Sequence, residues 1–210
     1  MTTIYVAIET LEQAEALQGT GAKLKVGLPI ITEYGEAILD RLGERGFTAV
    51  LWDAKFFDIP SVVHKATREL AGWHILEGIT VHIRGGRDMM VAARQAAGDV
   101  PIYGVTQLTS DPSACLAGVL GLASGAYVAG LYGVISPYFA IKTIRELYPH
   151  LAVLCPGIRP LDCNVGDQKW TATPTAAAQA GADAIIIGRP ITEAADPAAA
   201  YLDLVRAVGP

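Results

Sequence analysis

The chain lacks what a secreted, membrane-bound or nucleic-acid-binding protein would need. It has three cysteines, Cys115, Cys155 and Cys163, with no CxxC spacing. An odd, unclustered set argues against a disulfide framework and for free thiols in a reducing compartment. Positive charge is scarce: sixteen Lys and Arg stand against twenty-one Asp and Glu, for a net charge of −5. The basic residues are scattered rather than striped, so nucleic acid is not an expected partner. The opening MTTIYVAIET has neither the basic start nor the long apolar region of a signal peptide, and a cytoplasmic location is expected. No HExxH, Cys/His cluster or Asp-rich loop occurs, so no metal is expected, and neither GxSxG nor a P-loop is present.

Charge is missing altogether from Cys115 to Ile135, a stretch long enough to span a membrane. Glycines at 118, 121, 125, 130 and 133 interrupt it, and Ser136-Pro137 closes it. The spacing predicts a helix over 113–129, a turn at Gly130 and a buried strand over 131–135, with no membrane span. Because the helix has almost no polar face, it is expected to pack against a partner subunit.

What the chain does have is alternation. Short apolar runs recur at 4–8, 24–27, 49–52, 79–82, 102–106, 132–136, 152–155 and 184–188. Most are continuously apolar, as strands buried on both faces of a parallel sheet must be. Between them lie helical patterns such as 33–45 and 141–148, with another at 190–208. Eight such units in 210 residues, with no linker, predict one α/β domain over 1–210, a (β/α)8 TIM barrel. A doubly wound open sheet is the alternative, weakened because no GxGxxG follows the first run.

In a barrel, chemistry sits where strands end. Glu9, Lys25, Asp53, Lys55, Asp58, His82, Thr109 and Arg189 all fall near such ends. If the third strand continues through DAKFFDIP (53–60), Asp53 and Lys55 share a face by strand alternation, with Lys25 on the neighbouring strand. Buried ions need partners, and the order Lys25, Asp53, Lys55 supplies them. Lys55 would be a positioned proton donor, and Asp53 would favour departure of a substrate anion as CO2. The same spacing also suits a salt-bridge network that merely closes the barrel mouth. At the far end, IIIGRP (185–190) runs a buried strand into Gly188 and Arg189, a place where barrels hold phosphate. A glycine turn with an arginine capping contact is the plainer reading. His82 reads as a hydrogen-bonded strand-end histidine, and His64, His74 and His150 as incidental.

Taken together and in order, DAKFFDIP, VHIRGGRDMM (81–90), PGIRP (156–160), GDQK (166–169), TP (173–174) and IIIGRPIT (185–192) resemble the orotidine 5′-monophosphate decarboxylase family. The resemblance covers nearly the whole chain. It implies a small-molecule nucleotide substrate and cofactor-free loss of CO2 from the pyrimidine C6 position. By that resemblance Lys55 protonates C6, Asp53 lies beside the substrate carboxylate, and Lys25 orients the network. Asp58 is expected to reach the partner's site across a homodimer interface. Thr109 contacts the pyrimidine, while Pro156, Gln168, Gly188 and Arg189 belong to the substrate and phosphate site.

Two positions depart from the family pattern. Glu9 stands where the first strand usually ends in Asp, and Val62 stands where a Thr usually follows DIP. Both positions contact ribose hydroxyls in the family, so altered or weakened sugar recognition is expected, with the decarboxylation set intact. The competing readings are a Mg2+-dependent sugar-phosphate relative and a non-catalytic nucleotide-binding protein. The first carries an acidic metal ligand where this chain has Lys25. The second would leave buried charges without a use.

Overall fold

A computed structural model describes residues 2–160 and 169–209. The apolar runs become eight strands: β1 (Thr3–Ile8), β2 (Lys23–Val26), β3 (Val50–Phe56), β4 (Leu76–His82), β5 (Ile102–Val105), β6 (Gly133–Ile135), β7 (Ala152–Cys155) and β8 (Ala184–Ile187). Each pairs in parallel with the next, and β8 pairs with β1 through Thr3↔Ala184 to Val6↔Ile187. That last ladder closes the barrel and removes the open-sheet alternative.

Outside the strands lie α1 (Leu11–Glu15), α2 (Leu28–Tyr34), α3 (Ala37–Glu44), α4 (Pro60–Leu70), α5 (Arg87–Ala96), α6 (Leu116–Val128), α7 (Ile141–Leu147), α8 (Pro174–Gln179), α9 (Arg189–Thr192) and α10 (Pro197–Ala207). The main core is the layer between barrel and helices, where Val6, Leu24, Ile79 and Val153 meet Ile38, Met89, Val119 and Ile144. A smaller core fills the barrel itself, with Leu51, Val105, Ile135, Leu154 and Ile186.

The helix expected over 33–45 is two helices. Gly35 takes φ 57 and ends α2, a left-handed conformation that glycine adopts without a Cβ clash. The helix expected over 190–208 is also broken. Asp196 caps α10 by accepting a hydrogen bond from the Ala199 N–H at 2.9 Å, and Pro197 occupies the first helical position. β4 begins three residues before the apolar run because Glu77 lies within it, paired with Lys23 at 2.8 Å and accepting from the Tyr5 hydroxyl at 2.9 Å. The uncharged segment resolves into α6, a turn at Gly130 (φ 71) and β6. Among the described residues no helix is long and apolar enough to cross a membrane. α6 buries Val119, Ala123 and Ala126 and leaves Leu116, Tyr127 and Val128 exposed.

Strand alternation sorts the barrel interior into two ends. Tyr5, Lys23, Tyr103 and Ala184 line the N-terminal end. Two residues on along the same strands, Ala7, Lys25, Val105 and Ile186 line the C-terminal end. The βα loops open at that second end.

Candidate active site

A cavity of about 530 Å³ occupies the C-terminal mouth. Glu9, Lys25, Asp53, Lys55, Thr109, Pro156, Gly188 and Arg189 all line it, so β1, β2, β3, β5, β7 and β8 each contribute to one site. Asp58 does not line it. Its exposed carboxylate accepts a hydrogen bond from the Ile59 N–H at 2.6 Å, just before α4. Val62 lies on the first turn of α4 and is exposed. Gln168 and part of the 156–171 loop lie outside the described residues.

The centre of the site is Asp53, 4% exposed. Its Oδ2 accepts from Lys25 Nζ at 2.8 Å and from Lys55 Nζ at 2.9 Å. Burial by itself would raise the Asp53 carboxyl, but the two ammonium groups outweigh it and hold the carboxyl below the usual carboxylate range. Asp53 is therefore the ionised hub between two cations, not a neutral acid.

Regular alternation is not what brings Lys55 to Asp53. β3 and β4 pair at Trp52↔Ile79 and again at Phe56↔Val81, so Asp53, Ala54 and Lys55 stand opposite Thr80 alone. The surplus chain bulges, and Lys55 takes φ 51, the one non-glycine residue with positive φ among those described. Such a conformation costs roughly 1–2 kcal/mol for a residue with a Cβ. The bulge re-aims the lysine into the barrel mouth, as bulges near active sites commonly do. Sequence reasoning expected a continuous strand here, because nothing in DAKF marks a bulge; there is no glycine to signal one.

Thr80 is the residue that the sequence left unmarked. Wholly buried, it donates its hydroxyl proton to Asp53 Oδ1 at 3.0 Å and accepts from the Lys55 backbone N–H at 2.9 Å. Its only signal is a hydroxyl within the apolar run ITVH. Arg159 also lines the cavity, and its one signal in the sequence is its place in PGIRP. Gln13, Ser110, Thr192 and Glu193 also line the cavity, and Gln13 Oε1 accepts from the Glu9 N–H at 2.7 Å.

Arg189 and Arg159 put two guanidinium groups on the β7–β8 side, suited to phosphate oxygens. A Cβ built on Gly188 would meet nothing nearer than the Ala7 carbonyl oxygen at 3.5 Å. Protein packing does not demand this glycine; bare backbone leaves that wall of the cavity free for a ligand. Thr109 is held at the rim by residues just ahead of α8. Its carbonyl accepts from the N–H groups of Lys169 and Trp170 at 3.0 and 3.2 Å. The Trp170 indole donates to the Asp111 carbonyl at 3.0 Å and packs edge-on against Phe139.

His82 stays outside the cavity. Its Nδ1 accepts from the Arg84 N–H at 3.3 Å and its ring packs on Phe57. Burial, with Arg84 and Lys55 nearby, lowers its pKa, so it serves as a neutral cap.

Comparison with known proteins agrees with this geometry. The family model described as orotidine 5′-phosphate decarboxylase / HUMPS family matches residues 6–204. A protein of Thermobifida fusca named orotidine 5′-phosphate decarboxylase is 40% identical over 206 residues, covering 92% of this chain and 88% of its own. The protein of that name from Vibrio atlanticus is 37% identical over 226 residues, 96% of each chain. The crystal structure of orotidine 5′-phosphate decarboxylase from Lactobacillus acidophilus superposes with a TM-score of 0.84 at 29% identity, over 100% of both chains. With its closed barrel, its lysine–aspartate–lysine centre and this similarity along nearly its whole length, the chain belongs to the orotidine 5′-phosphate decarboxylase / HUMPS family.

Proposed function

We propose that this protein is a carboxy-lyase that converts orotidine 5′-monophosphate to uridine 5′-monophosphate without a cofactor, in pyrimidine nucleotide synthesis. The observation that carries the reading is the pair of ammonium groups on one buried carboxylate oxygen, at 2.8 and 2.9 Å, inside a cavity that also holds Arg159 and Arg189. A substrate with a carboxylate at one end and a phosphate at the other matches two cationic centres three strands apart around the barrel.

In this reading the guanidinium groups hold the phosphate and spend binding energy far from the reacting carbon. That binding energy holds the substrate carboxylate against the Asp53 carboxylate despite their repulsion, and loss of CO2 removes the repulsion. The C6–carboxyl bond breaks, its electron pair stays on C6, and the Lys55 ammonium donates a proton to that carbon. Neutral Lys55 then regains a proton from water. Lys25 keeps Asp53 ionised and oriented throughout. Lys25 also favours this chemistry over a Mg2+-dependent relative, since an ammonium at that position repels a divalent cation.

We further propose a homodimer in which Asp58 completes the partner's site. Asp58 is exposed and stands outside its own cavity, flanked by Phe57, Ile59 and Val62, all exposed apolar residues suited to burial against a second copy. Cys115 and Cys155 are unpaired, in keeping with a reducing, cytoplasmic location.

The test is to mix the purified protein, with EDTA, with orotidine 5′-monophosphate and follow loss of ultraviolet absorbance, with Lys55→Ala alongside. Conversion to uridine 5′-monophosphate that depends on Lys55 supports the reading. No conversion by folded wild-type protein overturns it in favour of a relative acting on a different sugar or phosphorylated acid.

A further inference from the structure

We infer that Thr80 is a positioning residue for the decarboxylation step: its one hydroxyl ties the orientation of Asp53 to the backbone of the proton donor Lys55. The inference rests on the proposed activity for its kinetic consequence, but its structural core does not.

A threonine hydroxyl has one proton to give and two lone pairs. Here the proton goes to Asp53 Oδ1, and one lone pair accepts the Lys55 N–H. The two bonds do different jobs. The bond to Oδ1 fixes the carboxylate plane, so that Oδ2 is presented to Lys25 and Lys55 together. The bond from the Lys55 N–H satisfies a donor that the bulge takes out of the β3–β4 ladder, since Thr80 is the single β4 residue facing Asp53, Ala54 and Lys55.

Thr80 is well suited to the task. It is 0% exposed, so water does not compete for either bond. Its β-branched side chain has few χ1 rotamers, and its backbone is locked in β4 opposite Tyr103 of β5. The left-handed Lys55 has no glycine to relax it, so something rigid must hold that conformation, and the Thr80 hydroxyl is the group that grips its amide. Asp53 and Lys55 are thus registered to the same atom, which keeps carboxylate and ammonium in step. Lys55, Asp53 and Lys25 touch the reacting region; Thr80 acts through them.

The variants are Thr80→Val, which keeps the shape and loses the hydroxyl, and Thr80→Ser, which keeps the hydroxyl. In Thr80→Val, kcat is expected to fall by ~10²-fold, a loss that misplacing a reacting group by about 1 Å can cause, with KM moving less than about threefold. Thr80→Ser is expected to recover kcat to within about fivefold of wild type. Hydrogen exchange at the Lys55 amide is expected to quicken by at least ~10-fold in Thr80→Val and to stay slow in Thr80→Ser. A Thr80→Val enzyme with kcat within about twofold of wild type overturns the inference, as does unchanged exchange at Lys55. Equal loss of kcat and melting temperature in both variants also overturns it, because that pattern marks a packing role. Wild-type protein without turnover defeats the proposed function alone, and the exchange comparison still decides on Thr80.

Discussion

The Lys55 ammonium meets the Asp53 carboxylate at 2.9 Å across a bulge that leaves Lys55 at φ 51. The two residues are joined by geometry that an ordinary strand does not have, and they share one carboxylate oxygen with Lys25. Removing Asp53 would leave two ammonium groups facing each other in a mostly buried site. The stability of the barrel mouth and its chemistry therefore depend on the same ion cluster.

Acid should expose that dependence. The Asp53 carboxyl titrates below its unfolded value, so its contribution to stability is full above about pH 4 and is lost as pH falls through the lower, folded pKa. At neutral pH, Asp53→Asn is expected to be less stable than wild type by about 3–5 kcal/mol, the cost of breaking a buried pair. The gap should narrow as pH drops. Urea titrations between neutral and strongly acid pH measure it, and a gap that stays constant throughout would contradict the ionised-hub assignment.

Arg189 is expected to act on binding. Arg189→Ala should raise KM for the nucleotide by ~10–100-fold through loss of a charge-assisted contact. Orotidine without its phosphate should be used equally poorly by variant and wild type. If the variant handles orotidine worse than wild type does, Arg189 is serving something other than phosphate.

Asp58 can be tested by mixing defects. Lys55→Ala and Asp58→Ala homodimers are each expected to be inactive. Co-expressed, they should form hybrids in which one site has both native residues, restoring about a quarter of wild-type activity for random pairing of a symmetric dimer. If Asp58 served its own chain, every site would carry a defect and nothing would recover.

Glu9 and Val62 are the two positions expected to affect sugar recognition. Glu9, just after β1, lines the cavity, whereas Val62 is exposed on α4 and has no side-chain polar atom to offer. Turnover of the 2′-deoxy nucleotide is expected to fall within about tenfold of the ribonucleotide, the span of one ordinary hydrogen bond. A much stronger preference for ribose would show that other groups have taken over its recognition.

Tyr103 and Glu77 show how far local pattern reading reaches in the fold. Tyr103 sits in an apolar run and was placed in a strand directly, but Glu77 hid the start of β4 because its charge is neutralised from a distant strand by Lys23. Gly35 and Asp196 carried the helix breaks at 33–45 and 190–208, yet apolar periodicity ran through both and concealed them.

By itself the sequence determined the alternation of eight buried strands with helices, because continuous apolar runs and helical periodicity are local properties of the chain. It also determined which charged side chains stand at strand ends, and the order of its motifs was enough to indicate the family. Closure of the barrel was a tertiary decision, made by the pairing of β8 with β1 across the whole length of the chain. So were the bulge that turns Lys55 inward, the recruitment of Thr80, and the placement of Asp58 outside its own cavity. Closure, the bulge and the Thr80 contacts depend on register between strands, and register is set by side chains packing across the barrel, which no single segment encodes.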